Sequence, residues 1–130
     1  MTTANAYKAL YQTLKAGPLA SIPLQQPHLT KPNATTWAVL SDEGSSVSSD
    51  RDPHRGRQYF RVWIYSQTDD ETTLYTIADS IKAAINDKPI SGTNTGRVRF
   101  TFVSRSPVWW ADEYGCRAVD LQFKALTTDI

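Results

Sequence analysis

Two stretches of the chain repeat apolar residues at helical spacing. Within residues 4–16, tyrosine and leucine recur at i, i+3, i+4 and i+7, the stripe of an amphipathic helix. Gly17 and Pro18 then form a stop signal. The acidic stretch 68–71 is a capping sequence for a second helix. That helix carries its apolar residues on one face: Leu74, Ile77, Ala78, Ile81, Ala84 and Ile85.

Four shorter stretches, residues 35–41, 58–66, 97–105 and 116–126, are rich in β-branched and aromatic residues and are predicted as strands. The second shows the clearest alternation. It places Phe60, Val62 and Ile64 on one face and Tyr59, Arg61, Trp63 and Tyr65 on the other. Large side chains on both faces predict that neither face is simply exposed to water.

The predicted order is helix, strand, strand, helix, strand, strand. The simplest arrangement is a single α+β domain over residues 1–130, with a four-stranded, mostly antiparallel sheet and both helices packed on one face. A proline-rich connector, residues 18–33, follows the first helix. Residues 42–57 are predicted as a mobile polar loop and residues 106–115 as an aromatic hairpin loop.

Composition narrows the function classes. Hydrophobic residues make up 40% and charged residues 21%, as in a globular protein with a core. Lysine and arginine number 14 against 13 acidic residues, so no strong field draws the chain to nucleic acid or membranes. A single cysteine excludes an internal disulfide. No apolar run approaches the roughly 18 residues of a membrane span, and we expect a soluble protein folded in a reducing cytoplasm.

Candidate catalytic and metal-binding residues are sparse. Asp50, Asp52 and His54 alternate and are candidate ligands for a divalent cation, but a solvated loop is favoured because no fourth ligand is fixed nearby. A nucleophile such as Cys116 lacks a placed base, since His28 and His54 both lie in proline-containing loops. No glycine-rich nucleotide loop is present. We expect no enzymatic activity, metal or cofactor.

A nucleic-acid-binding module is an alternative. Arg97, Arg99 and Arg105 are predicted to share one strand face, and Trp63 is placed to stack on a base. Against this, no ribonucleoprotein-type aromatic motif occurs, and a basic strand face is more often solvated or paired with acidic groups.

Aromatic residues give the strongest functional signal, because exposed aromatic clusters usually mark protein contacts. The local alternative, a hairpin loop folded against its own first strand, stays open. The candidate subunit or partner interface comprises Tyr59, Arg61, Trp63, Tyr65, Arg97, Arg99, Trp109, Trp110 and Tyr114. A docking function is predicted for the polar loop through Arg51, His54, Arg55 and Arg57.

The motifs taken in order resemble the tail completion, or tail terminator, proteins of long-tailed bacteriophages, also described as minor tail or head-tail joining proteins. They are AYKALYQTLKAG, TTWAVLSD, RQYFRVWIYSQ, a helix containing TIADSIKAAI, and a final VDLQFKALT. Each is common alone, so the resemblance rests on their order and spacing. The bulky hairpin at residues 108–110 departs from the family pattern and leaves the partner of that loop open.

The resemblance implies a homo-oligomer, a hexameric ring that caps the tail tube and joins it to the head connector. Its partners would be the tail tube protein and a connector or neck protein, with a possible passing contact with DNA in the lumen and none with membranes. The protein would be made in the host cytoplasm and reside in the virion at the head-proximal end of the tail. A neck adaptor is an alternative, and the family has no catalytic residues to transfer.

Overall fold

A computed structural model describes residues 3–27, 30–47, 55–68, 70–91 and 97–128. These residues form two helices and a seven-stranded sheet, so the prediction of four strands is wrong. The elements are α1 (Thr3–Ala16), β1 (Leu24–Gln25), β2 (Thr36–Val47), β3 (Arg55–Ser66), α2 (Glu71–Ile85), β4 (Lys88–Ser91), β5 (Arg97–Arg105), β6 (Trp109–Ala111) and β7 (Cys116–Thr128).

The sheet is mixed, with strand order β1-β2-β3-β7-β5-β4 and β6 paired with β7. β1 runs parallel to β2, and the other described pairs are antiparallel. β3 and β7 lie at the centre and pair along their length, from Arg55 opposite Thr128 to Ser66 opposite Arg117. These two central strands therefore form the platform on which both faces are built.

The unpredicted strands β1 and β4 are short and form the two edges of the sheet. β4 contains Pro89, which an edge strand tolerates because one side of its backbone needs no partner. The residues that follow α2 form hydrogen bonds with β5, next to this edge. Asp87, at φ 56°, donates its N–H to the Phe100 carbonyl over 2.7 Å, and Asn86 Oδ1 accepts the N–H of Phe102 over 2.9 Å.

The predicted loop at residues 42–57 is largely strand, because β2 continues to Val47 and β3 begins at Arg55. The register shifts between Asp42 and Gly44, where Gly44 adopts φ 106°. Asp42 Oδ1 accepts the Gly44 N–H over 2.8 Å and holds this bulge. Of the predicted loop, residues 48–54 lie outside the described residues.

The main core lies between the helices and one face of the sheet. Asp70 caps α2 by accepting the Thr72 N–H over 2.9 Å, and the α2 stripe then packs on the sheet as its spacing predicts. α1 lies beside α2 and is held there by its own tyrosine side chains. Tyr7 Oη donates to the Leu40 carbonyl over 2.8 Å. The fully buried residues of this core include Leu10, Leu14, Leu40, Phe60, Val62, Leu74, Ile81, Ile85, Phe100 and Phe123.

Candidate protein interface

The sheet face that turns away from the helices carries a second, smaller core. Trp37 is 1% exposed and Tyr65 is 7% exposed. Their rings stack, with centroids 5.3 Å apart and an interplanar angle of 17°. The expectation that Tyr65 lies at the surface is therefore wrong, because Trp37 from the neighbouring strand and the hairpin above it exclude water. Ala111, Cys116 and Ala118 complete this core.

The predicted hairpin loop contains the short strand β6, which pairs with the start of β7. Gly115 adopts φ 60° and donates its N–H to the Ala111 carbonyl over 2.9 Å, which closes the turn. The turn brings Tyr114 edge-on to Trp37 and Tyr65, at centroid distances of 5.5 and 5.0 Å. The alternative of a loop folded against its own first strand is thus confirmed for Tyr114.

Trp109 and Trp110 point to opposite faces of the sheet, as neighbours on a strand do. Trp109 packs against Tyr65 at 6.4 Å, and its Nε1 donates to Asp120 Oδ1 over 3.1 Å. Trp110 lies opposite Arg117 and is 59% exposed. Among the described residues, only Val103, at 45%, is another large apolar side chain of comparable exposure.

An ionic network occupies the middle of the same face. Asp120 forms an ion pair with the Arg61 guanidinium, and Arg61 Nε also donates to Glu43 Oε1 over 2.9 Å. Partial burial alone would lower the pKa of Arg61, but these hydrogen bonds outweigh it and the pKa is raised. Gln122 Nε2 adds a hydrogen bond of 3.2 Å to Glu43. The predicted interface residue Arg61 is therefore held by charges of its own chain.

A groove of about 330 Å³ lies beside the second core. The half-buried side chains of Val39 and Trp63 lie along it, together with Trp37 and Tyr114. Lys31 stands with its Nζ 4.9 Å from the centroid of the Trp37 ring, and Glu113 also lines the groove. The groove thus combines aromatic surface with one cation and one anion.

The arginines of β5 do not share one face, contrary to the sequence prediction. Arg99 lies away from the helices and pairs with Asp87 Oδ1 over 2.9 Å. The register shifts between Phe102 and Ser104, so Arg105 comes opposite the core residue Leu121. Its guanidinium lies 4.4 Å from the centroid of Tyr75 in α2. The bulge therefore divides the predicted basic face between the two sides of the sheet.

The other residues predicted for the interface and the docking loop either lie outside the described residues or are located only by strand register. Arg51 and His54, like Asp50 and Asp52 of the candidate metal set, lie outside the described residues. Within β3, Arg55 pairs with Thr128 and Arg57 with Leu126. Arg97 begins β5 opposite Ser91. Half-buried Tyr59 lies in β3 opposite Gly44 and Lys124.

Within the described ranges, no three His, Cys, Asp or Glu side chains come close enough to hold a metal ion. Cys116 is buried, and burial raises the pKa of its thiol, which disfavours the reactive thiolate. Neither described helix has the length and apolar character needed to cross a membrane.

Sequence reasoning missed Trp37, Val39, Lys31 and Glu113. The signal for the first two was present in residues 35–41, where alternation sets Trp37 and Val39 on the face opposite to Leu40. Lys31 and Glu113 lie in connections without periodicity. Their approach to the sheet depends on tertiary contacts that no local pattern encodes.

Comparison with known proteins gives a likeness of fold. No protein-family model and no curated protein matches the chain. Among solved structures, a chain described as "Virion of native gene transfer agent (GTA) particle" superposes with a TM-score of 0.75 at 19% identity, covering 98% of this chain and 100% of the other. A second, whose name carries no functional description, gives 0.73 at 15% identity, covering 100% and 98%. The fold is therefore shared end to end with a chain from a gene transfer agent virion.

Proposed function

We propose that this chain is a structural subunit of a phage-type virion and has no catalytic role. The observation that carries the proposal is the full-length likeness of fold to a virion chain of a gene transfer agent, at a TM-score of 0.75. Its second sheet face supports a role in assembly, because an aromatic groove with a partly exposed tryptophan is typical of protein contact surfaces.

The more specific role is that of a tail completion subunit, which forms a ring, hexameric in the family that the sequence resembles. This ring caps the tail tube at its head-proximal end and contacts the connector or neck protein. Support comes from the order of the sequence motifs and from a fold that presents different surfaces on opposite sides. A ring needs two such complementary surfaces on each copy, one for each neighbour.

Nucleic-acid binding loses its main support. The predicted basic face comprised Arg97, Arg99 and Arg105, but Arg99 is paired with Asp87 and Arg105 lies on the helix side of the sheet. A basic face would give binding that weakens steeply as salt rises. We expect no salt-dependent binding of a short DNA duplex by the purified chain at low ionic strength.

Deletion of the gene from the phage or phage-like element that encodes the chain tests the proposed role. We expect filled heads and separate, headless tails whose tubes vary in length, and we expect complementation by the wild-type gene to restore joined particles. Tubes of normal length with unjoined heads would instead favour a neck adaptor. Complete particles without the protein would contradict both roles.

A further inference from the structure

Trp110 projects from the hairpin towards solvent and is 59% exposed. The other three tryptophans contact their own chain, since Trp37 and Trp109 belong to the second core and Trp63 lies half-buried beside the Arg61 guanidinium. An exposed tryptophan is the side chain most often found at the energetic centre of a protein interface. Of the four tryptophans, Trp110 is therefore the one whose side chain is mostly exposed.

The groove on the opposite face has a size and lining that suit one large aromatic side chain. Its volume of about 330 Å³ lies at the small end of the roughly 300–1,000 Å³ of ligand pockets. Trp63 and Tyr114 offer ring faces and edges for offset or T-shaped contacts. Lys31 supplies a cation near the same rings.

We propose that Trp110 of one copy inserts into the aromatic groove of a second copy of this chain. It cannot fill its own groove, because Trp110 points to the helix side of the sheet whereas the groove opens on the other side. Each copy therefore offers both this protruding residue and this groove. Such a contact is heterologous and repeats head to tail, which closes into a ring if the rotation between copies allows.

Charged residues flank both surfaces. Asp112 follows Trp110 by two residues and is exposed, so its carboxylate accompanies the protruding tryptophan. The groove that would receive it is lined by the cation Lys31 and also by Glu113, which favours the orientation that brings Asp112 towards Lys31 and away from Glu113. Docking of Trp110 brings this anion towards that cation, which fixes the orientation of the contact more than it adds affinity.

This inference deepens the proposed function, on which it rests for the idea of a ring, by naming the residues of the lateral contact. Disulfide trapping tests it without tail tubes and registers transient encounters. In a Cys116→Ala background, one variant carries Asp112→Cys and another carries Lys31→Cys. Mixed at high concentration with a mild oxidant, they are expected to form a heterodimeric disulfide about tenfold faster than the same pair carrying Trp110→Ala.

A matched control is the pair carrying Val103→Ala, which removes another large apolar side chain, 45% exposed, away from the contact. It should trap at the parent rate. Equal rates for the parent, Trp110→Ala and Val103→Ala pairs would overturn the inference. Loss of trapping while the gene stays essential for joining heads to tails would leave the proposed function standing. Efficient trapping with a dispensable gene would contradict the function alone.

Exchange of charges gives an independent test by sedimentation velocity. Asp112→Lys alone and Lys31→Asp alone each place like charges at the contact, so each variant should associate less than wild type. Mixing the two restores an attractive pair at every interface and should restore association in mixed oligomers. A mixture no more associated than its components would contradict the pairing of Asp112 with Lys31, as would unchanged association of the single variants.

Discussion

Trp37 of β2 stacks on Tyr65 of β3, with ring centroids 5.3 Å apart, on the sheet face that carries no helix. Tyr114 closes over both rings from the hairpin. A face that would otherwise need a partner to cover it is thus partly sealed by the chain itself. The groove and Trp110 leave aromatic surface exposed.

The stacked pair predicts a stability difference between two tryptophans. Trp37→Ala removes a side chain that is 1% exposed and should lower the free energy of unfolding by about 3–5 kcal/mol. Trp110→Ala, at an exposed site, should change it by less than about 0.5 kcal/mol. Urea denaturation followed by circular dichroism measures both. Similar losses would show that Trp110 is not a surface residue.

Alanine substitutions in the helix-side core and in the groove on the other face should have different effects on folding and assembly. Ile81→Ala empties a fully buried position of α2 and should cost about 2–5 kcal/mol. Trp63→Ala should leave the monomer folded and weaken assembly, because the half-buried indole lies along the groove. Denaturation and sedimentation at matched concentrations separate these effects. Equal loss of folding in both variants would contradict the assignment of the faces.

The network around Asp120 predicts a coupling energy. Asp120→Ala should lower the free energy of unfolding by about 1.5–3 kcal/mol. Trp109 Nε1 loses its hydrogen-bond acceptor, and the Arg61 guanidinium loses one of its two carboxylate partners. In a double-mutant cycle with Arg61→Met, the coupling should fall within about 0.5–3 kcal/mol. Additive effects would indicate that the ion pair contributes no net stability.

Burial of Tyr65 predicts a loss of stability in alkali. Burial, with smaller contributions from Tyr114 and Glu113, raises the pKa of Tyr65 from 10.0 to about 12. The folded state therefore keeps this proton while the unfolded state releases it. The stability that the protonated Tyr65 phenol contributes is complete below about pH 10 and is lost as the pH rises towards 12.

Tyr65→Phe should make the decline in stability between these pH values shallower. Denaturation midpoints measured across this range compare the variant with wild type, and tyrosinate absorbance reports the ionisation directly. Tyr7, Tyr114 and Cys116, whose pKa values burial also raises, contribute to the remaining slope. An unchanged pH profile in the Tyr65→Phe variant would contradict the burial of this phenol.

Periodicity predicted individual elements where burial on one face fixes the alternation, although the predicted four-stranded sheet was wrong. The bounds of β5 and the stripe of α2 agree with the structure. β1 and β4 were missed because they are two and four residues long and lie among prolines. Alternation also failed beyond the bulge after Phe102, since one extra residue moves Arg105 to the opposite face.

The candidate site could be predicted only in part. Alternation placed Trp63 and Tyr65 on the correct face of β3, but it could not show that Trp37 and Tyr114 cover Tyr65. That cover depends on the turn at Gly115 and on pairing between strands distant in the sequence. The exposure of Trp110 likewise follows from the register of a three-residue strand.

Addition of the purified chain to isolated tail tubes tests the central claim most directly. Electron microscopy of negatively stained tubes counts ends that carry extra density, with Trp110→Ala as the interface variant and Val103→Ala as its control. We expect one ring at a single end of each tube, lost with Trp110→Ala and kept with Val103→Ala. Bare ends at saturating wild-type protein, on tubes able to bind a terminator, would contradict it.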